Sequence, residues 1–206
     1  MRIAVLGASG RSGRLVLDLL RARGHNTVAV VRASSAADLV GDVRRCDFLD
    51  ASALAGAISG CDAVAFCVGP TGDGDTTVMQ STISATIAAM ASAGINRLVT
   101  ISATGPYTRG DDPFVRFIAK PILRRVFRET WADLAAAELV IRDSTVDWTI
   151  VRPSMLTDGP ASRRPRLAID RNRAFGIAST RADTANVVAA AIDTPEWIHH
   201  SVSVVR

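Results

Sequence analysis

The sequence predicts an α/β fold, a doubly wound parallel sheet in a single domain. Three features of the 206 residues carry this expectation. Apolar, β-branched runs recur as strands buried on both faces, helical patterns alternate with them, and a glycine-rich turn joins the first strand to the first helix. Arg2 to Leu6 (RIAVL) is the first strand, followed by GASGRSG and a helix whose apolar face is Leu15, Val16, Leu19 and Leu20, ending at Gly24. Thr27 to Val31 is the second strand. Ala51 to Ser59 reads as a short helix capped by Asp50, Ala63 to Val68 as a strand, Thr76 to Ala93 as an Ala-rich helix stopped by Gly94, and Arg97 to Ser102 as a strand. The alternation to Ser102 counts five strands, with no separate run marked for the third.

Beyond Ser102 the spacing loosens. Residues 103–112 hold two glycines, a proline and two aspartates, a loop whose Asp112-Pro113 end starts a helix with Asp as cap and Pro in the first turn. Lys120-Pro121 disfavours an unbroken continuation. A longer helix is expected over Arg124 to Arg142, and Asp147 to Val151 is the sixth strand. Residues 153–175, rich in Pro, Gly and Arg, read as loop with one short hairpin; a last helix follows near Arg181 to Ile192, then a terminal strand, Ser201 to Val205. No repeat or second hydrophobic core is evident.

Composition excludes several classes. With 48% hydrophobic and 21% charged residues the chain is neither disordered nor in need of staples. The net charge of +4 is spread out: residues 1–100 carry 9 basic and 8 acidic groups, residues 101–206 carry 15 and 12. The densest basic stretch, Arg163, Arg164, Arg166, Arg171 and Arg173, reads as a solvated loop, so no nucleic-acid partner is expected. Cys46, Cys61 and Cys67 lack CxxC spacing and read as reduced core thiols. No apolar run reaches spanning length and the N-terminus enters a strand directly, so a cytoplasmic location with no membrane partner is expected. His25, His199 and His200 have no third ligand at useful spacing, and no metal is expected. There is one tyrosine, Tyr107, and one lysine, Lys120. Any mechanism needing either has one candidate.

Gly7, Ser9, Gly10, Arg11, Ser12 and Gly13 belong to a GxxGxxG turn between strand and helix. Glycines there let the backbone approach a pyrophosphate, whose charge meets amides at the helix N-terminus. That is the arrangement of a Rossmann-like nucleotide site. An NAD-preferring site usually ends its second strand in an acidic residue that holds the ribose 2′-hydroxyl. Here the strand is followed by Arg32, Ala33, Ser34 and Ser35, and no acidic residue lies between Asp18 and Asp38. A guanidinium and hydroxyls suit a 2′-phosphate, so NADP(H) is expected over NAD(H).

With these motifs the chain resembles the atypical short-chain dehydrogenase/reductases, in particular the group of biliverdin-IXβ/flavin reductases and NmrA-like NAD(P)-binding proteins. The resemblance runs through Cys46-Asp47-Phe48-Leu49-Asp50, Cys61-Asp62-Ala63-Val64, Cys67-Val68-Gly69-Pro70, Arg97 to Ser102, and Val146 to Pro153. It implies a cofactor half at about 1–102 and substrate-side elements at about 103–180. It places Asp47 and Phe48 beside the adenine, Cys67, Val68, Gly69 and Ser102 along the cofactor, and Pro153, Ser154, Met155 and Leu156 on the nicotinamide side. Ser179-Thr180-Arg181-Ala182-Asp183 resembles the family's Ser-Arg-x-Asp segment, with a capped helix start as its simplest role.

The Tyr-x-x-x-Lys pair common in such enzymes is absent. Tyr107 is followed four positions on by Asp111, and aligning back from Arg152-Pro153 puts Thr130 and Leu134 where the Tyr and Lys would stand. Neither does that acid chemistry. Ser102 is the one catalytic candidate, with Ala103 competing for its matching position. Two function classes follow. One is an NADPH-dependent reductase passing hydride to a small, flat, conjugated acceptor such as a flavin, quinone or tetrapyrrole, which needs little activation. The other is a non-catalytic NADP(H)-binding redox sensor of the NmrA type. A sugar-nucleotide epimerase or dehydratase is disfavoured, because those enzymes usually keep the Tyr-Lys pair and a larger substrate domain. Either class is compatible with a monomer or a homodimer. The apolar series Phe114, Phe117, Ile118, Ile122, Val126, Phe127 and Trp131 reads as core or interface packing, with an acceptor-stacking wall as its rival, and Arg124, Arg125 and Arg128 as its solvated polar face. Arg109 and Glu138 are minor candidates, for an acidic substituent and a proton relay.

Overall fold

The computed structural model describes residues 1–35, 37–69 and 77–206. Strands β1 (Arg2–Leu6), β2 (Asn26–Arg32), β3 (Asp42–Cys46), β4 (Ala63–Phe66), β5 (Arg97–Ile101), β6 (Asp147–Pro153), β8 (Arg166–Ile169) and β10 (His200–Val205) form one sheet in the order β3-β2-β1-β4-β5-β6-β10-β8. Every pairing is parallel except β8 with β10. Two short strands, β7 (Met155–Thr157) and β9 (Ala178–Thr180), pair in parallel apart from it. The doubly wound parallel sheet expected from the sequence is therefore present.

Alternation along β1 shows how the sheet is covered. Ala4 and Leu6 join a core with Leu54 and Ile58 of α2 (Ala51–Ile58), Met79, Ile83 and Met90 of α3 (Val78–Ala93), and Leu134 and Ile141 of α5 (Arg128–Arg142). Ile3 and Val5 face the other way, onto Val16, Leu17 and Leu20 of α1 (Arg11–Ala22) and Val187 and Val188 of α6 (Arg181–Ile192). Successive strand residues point to opposite faces, so a strand apolar throughout needs helices on both. The caps expected for two helices are made: Asp50 Oδ1 accepts from the Ser52 and Ala53 amides at 2.9 and 3.1 Å, and Asp112 Oδ1 accepts from the Val115 amide at 3.0 Å. Gly94 takes the left-handed conformation (φ 69°) that ends α3.

Four expectations need correction. The third strand is β3, whose Asp-Val-Arg-Arg-Cys sequence hides it because an edge strand keeps polar side chains. Lys120-Pro121 does not break the helix. A π-helical turn over Val115–Ala119 precedes α4 (Lys120–Val126), and this local widening accommodates a proline that cannot donate. The break falls at Phe127, so the long helix begins at Arg128 rather than Arg124. Finally, residues 153–175 form no hairpin among themselves: β7 pairs with β9, and β8 with β10. Pro70 and Thr76 lie outside the described residues.

Candidate functional site

Strand order reverses between β1 and β4, and the carboxyl ends of these strands open a cleft of about 490 Å³. A crevice at this switch point is where doubly wound sheets bind ligands. Of the residues the sequence offers for a cofactor, Gly7, Ser9, Gly10, Arg11, Ser12, Arg32, Asp47, Phe48, Cys67, Val68 and Gly69 line it. Gly7 has φ 76°, and a Cβ there would stand 3.0 Å from the Cys67 carbonyl and the Val68 amide nitrogen. A Cβ on Gly13 would overlap the Gly7 carbonyl oxygen and come within 2.9 Å of Ala8 Cα, so Gly13 lets α1 start tight against the turn without itself lining the cleft. The Gly10 amide donates to the Gly7 carbonyl at 2.9 Å. Helix α1 has neither a side-chain cap nor an acidic residue in its first turn, so its N-terminal amides and positive dipole end suit an anion.

Among the described residues the cations lining the cleft are Arg11, Arg32 and Arg181, and Arg14 Nε donates to the Ser9 carbonyl of the turn at 3.2 Å. Arg32 is exposed at the end of β2, and Arg45 reaches the same turn, donating from Nε to the Ser35 carbonyl at 3.5 Å. Ser34 does not line the cleft. Asp47 turns its carboxylate back to accept from the Leu49 amide at 2.9 Å. Arg181 is the residue the sequence underrated. Its segment does start a helix, with Thr180 Oγ1 accepting from the Asp183 amide at 2.9 Å, yet the Arg181 side chain also faces the cleft. Asp158, in the loop after β7, pairs with Arg181 at 2.7 Å and with Arg11 at 3.2 Å. Only a tertiary contact between residues 147 positions apart reveals that one carboxylate holds two cleft arginines.

A separate apolar cavity of about 300 Å³ lies at the carboxyl ends of β5 and β6. Pro153, Ser154 and Met155 line it as expected, and Leu156 does not. Its remaining walls include Val115, Leu123, Phe127, Trp131 and Ile177, so the apolar series after β5 supplies both exposed surface and cavity lining. Trp131 stacks on Phe127 with ring centroids 6.2 Å apart and sits against Gly105, where a Cβ would be 2.6 Å from the indole nitrogen. Lys120 is buried at the rim, where its ammonium pairs with Asp111 at 2.6 Å and donates to the carbonyls of Thr104 (3.0 Å) and Tyr107. Burial pulls this ammonium below its ordinary pKa against the opposing pull of Asp111. Asn172 ties the same loop together, donating to Tyr107 O at 2.6 Å and Asp111 Oδ1 at 2.8 Å.

Ser102 sits elsewhere. Its hydroxyl donates to Glu138 Oε1 at 2.6 Å, and it lines neither the cleft nor the apolar cavity. Glu138 is 2% exposed and accepts two guanidinium hydrogen bonds from Arg152, one of them from Nε at 2.9 Å. The Arg152 guanidinium lies 3.5 Å from the centre of the Tyr107 ring. Burial first, and then the Glu138 carboxylate, push the Tyr107 hydroxyl above its ordinary pKa. Thr130 and Leu134 both lie on α5, and Leu134 is in the core. Among the described residues no group of three or more His, Cys, Asp or Glu side chains is placed to hold a metal, and no helix is long and apolar enough to cross a membrane.

Fold and cleft together define a dinucleotide-binding α/β protein. The chain belongs to the NAD(P)H-binding family, whose model matches residues 7–195. The UPF0659 protein YMR090W of Saccharomyces cerevisiae is 27% identical over 209 residues, covering 95% of this chain and 88% of that protein. Among solved structures, the anaerobilin reductase ChuY of Escherichia coli O157:H7 superposes with a TM-score of 0.79 at 22% identity, covering 100% of this chain and 97% of ChuY. A short-chain dehydrogenase/reductase of Veillonella parvula in complex with NADP gives 0.79 at 16% identity, covering 100% and 94%. At these identities the two structures show the fold alone.

Proposed function

We propose that this protein is an NADPH-dependent reductase of conjugated, flat acceptors such as flavins, quinones or tetrapyrroles. The observation that carries the reading is that the cleft at the glycine-rich turn and an apolar cavity at Pro153–Met155 lie at the same carboxyl edge of the parallel sheet, with no acid in the family's Tyr and Lys positions. The Gly7–Gly13 turn and the amides opening α1 hold the pyrophosphate, with Arg11 and Arg181 beside them. Phe48 and Asp47 flank the adenine. When bound, the reduced nicotinamide supplies the hydride. Apolar walls with Trp131 and Phe127 exclude water and stack the acceptor, and protonation of the reduced product comes from solvent, as an extended π-system allows. Ser102, committed to Glu138, acts as a positioning residue for the end of β5. The reductase ChuY, with the same fold, lends support, and the three free thiols suit the cytoplasm.

Arg32, with Ser35 and Arg45 nearby, is read as the 2′-phosphate site that favours NADP(H) over NAD(H). Arg32→Ala should weaken NADP⁺ by about tenfold or more, the scale of a lost charge-assisted contact, while NAD⁺ changes little. Equal losses measured by titration calorimetry refute that role. A second reading, a dinucleotide sensor without turnover, is favoured by Asp158. It links two cleft arginines to the loop that follows Met155 of the apolar cavity, so cofactor occupancy would be felt there. NADPH oxidation with FMN, riboflavin or a quinone supports the reductase; tight NADP(H) binding without oxidation across that panel supports the sensor.

A further inference from the structure

Next to the apolar cavity runs a second groove of about 430 Å³ whose lining residues are rich in arginine. Arg116, Arg124, Arg125 and Arg128 line it, with Lys120 and Trp131 at its inner end. Lys120, Trp131 and Gly105 border both spaces, so the groove begins where the apolar cavity ends. Residues 113–128 contain no acidic side chain, and none of the four arginines has an ion-pair partner among the described residues. In the cleft, by contrast, Arg11 and Arg181 share Asp158, and the buried Arg152 is held by Glu138. Four unpaired guanidiniums on one short segment repel one another, and an anion lying among them relieves that repulsion.

We propose that this groove binds the anionic tail of the acceptor whose ring system fills the apolar cavity. The proposal rests on the reductase reading and narrows it: the preferred acceptor is a flat conjugated molecule carrying a phosphate or carboxylate a few bonds from its rings. An uncharged ring system of the same shape fills the cavity and leaves the groove empty. Trp131, stacked on Phe127, separates the two halves of the site as an aromatic wall between ring and tail. Guanidiniums are suited to this task because their planar forks meet either oxyanion with paired hydrogen bonds.

Two ligand pairs isolate the tail: FMN against riboflavin for a phosphate, and biliverdin against its dimethyl ester for carboxylates. Binding of each to the NADP⁺-loaded protein is followed by fluorescence quenching, which needs no turnover, and reduction by NADPH is followed separately. The wild type should bind the charged member of at least one pair about tenfold more tightly, and salt should erode that preference. In Arg124→Gln/Arg128→Gln the ratio within the pair should fall toward one. Both residues are exposed, so the fold survives the substitution, and Arg164→Gln, in the loop before β8, should keep the wild-type ratio. Equal affinity within both pairs for the wild type, or a preference unchanged in the double variant, overturns the proposal. If the acceptors are reduced but the pairs remain equal, the groove assignment alone fails and the reductase reading stands. If none of the four binds or is reduced, both fail.

Discussion

Replacing Glu138 with leucine tests whether Ser102, Glu138 and Arg152 form one mutually dependent buried cluster. The carboxylate is 2% exposed and the Arg152 side chain 7% exposed, so the leucine leaves a guanidinium inside the protein against the face of Tyr107, with no other ion-pair partner among the described residues. It also removes the acceptor of the Ser102 hydroxyl. Arg142, 3.7 Å from the same carboxylate and one-third exposed, can turn to solvent and adds little. Breaking a buried pair from one side costs about 3–5 kcal/mol, since the orphaned charge keeps its desolvation penalty. For a chain of this length that lowers Tm by about 6–20 °C. Urea unfolding of the wild type, Glu138→Leu, Arg152→Met and the double variant measures the coupling. The double variant should recover much of the loss because no charge remains buried. A single-variant loss below about 1 kcal/mol, or a double variant as unstable as the sum of the singles, refutes the view of this pair as a mutually dependent buried unit.

Other consequences follow from the same geometry. Gly13→Ala drives a methyl into the Gly7 carbonyl, so it should cost about 1–3 kcal/mol and remove the thermal shift given by NADP⁺; a variant still stabilised like the wild type contradicts the turn assignment. Asp158→Asn frees Arg11 and Arg181 for phosphate and should tighten NADP⁺ by about two- to fivefold, the worth of pairs to a carboxylate that is 70% exposed; weaker binding would show that Asp158 clasps the bound dinucleotide instead. Burial raises the Cys67 thiol from 9.0 to about 12, so the folded protein keeps a proton that the unfolded chain releases above pH 9. Stability from this group is complete below pH 9 and falls as pH rises toward 12, by about 1.4 kcal/mol per unit. Unfolding of the wild type should therefore steepen with pH relative to Cys67→Ala above pH 9, and parallel curves would refute it.

The alternation of apolar runs and the GxxGxxG turn made the sheet, its double winding and the glycine-rich end of the cleft legible, because both depend on local patterns. Strands covered on both faces must be apolar throughout, and a backbone that touches phosphate must lack Cβ atoms. Polar β3 escaped notice for the complementary reason: an edge strand has no such requirement. Pro121 misled because a π-helical turn absorbs its missing hydrogen bond, and π turns leave no mark in apolar spacing.

The cofactor class and the absence of the Tyr-Lys pair are readable from the chain alone, since one tyrosine and one lysine leave nothing to align. Where those solitary residues went is a matter of long-range packing. Lys120 lies buried at the rim of the apolar cavity, Tyr107 lies over Arg152, Ser102 is spent on Glu138, and Arg181 reaches the cleft from the last helix. These placements join residues tens to more than a hundred positions apart. They are set by which charges must be paired once water is excluded, and no local pattern records that.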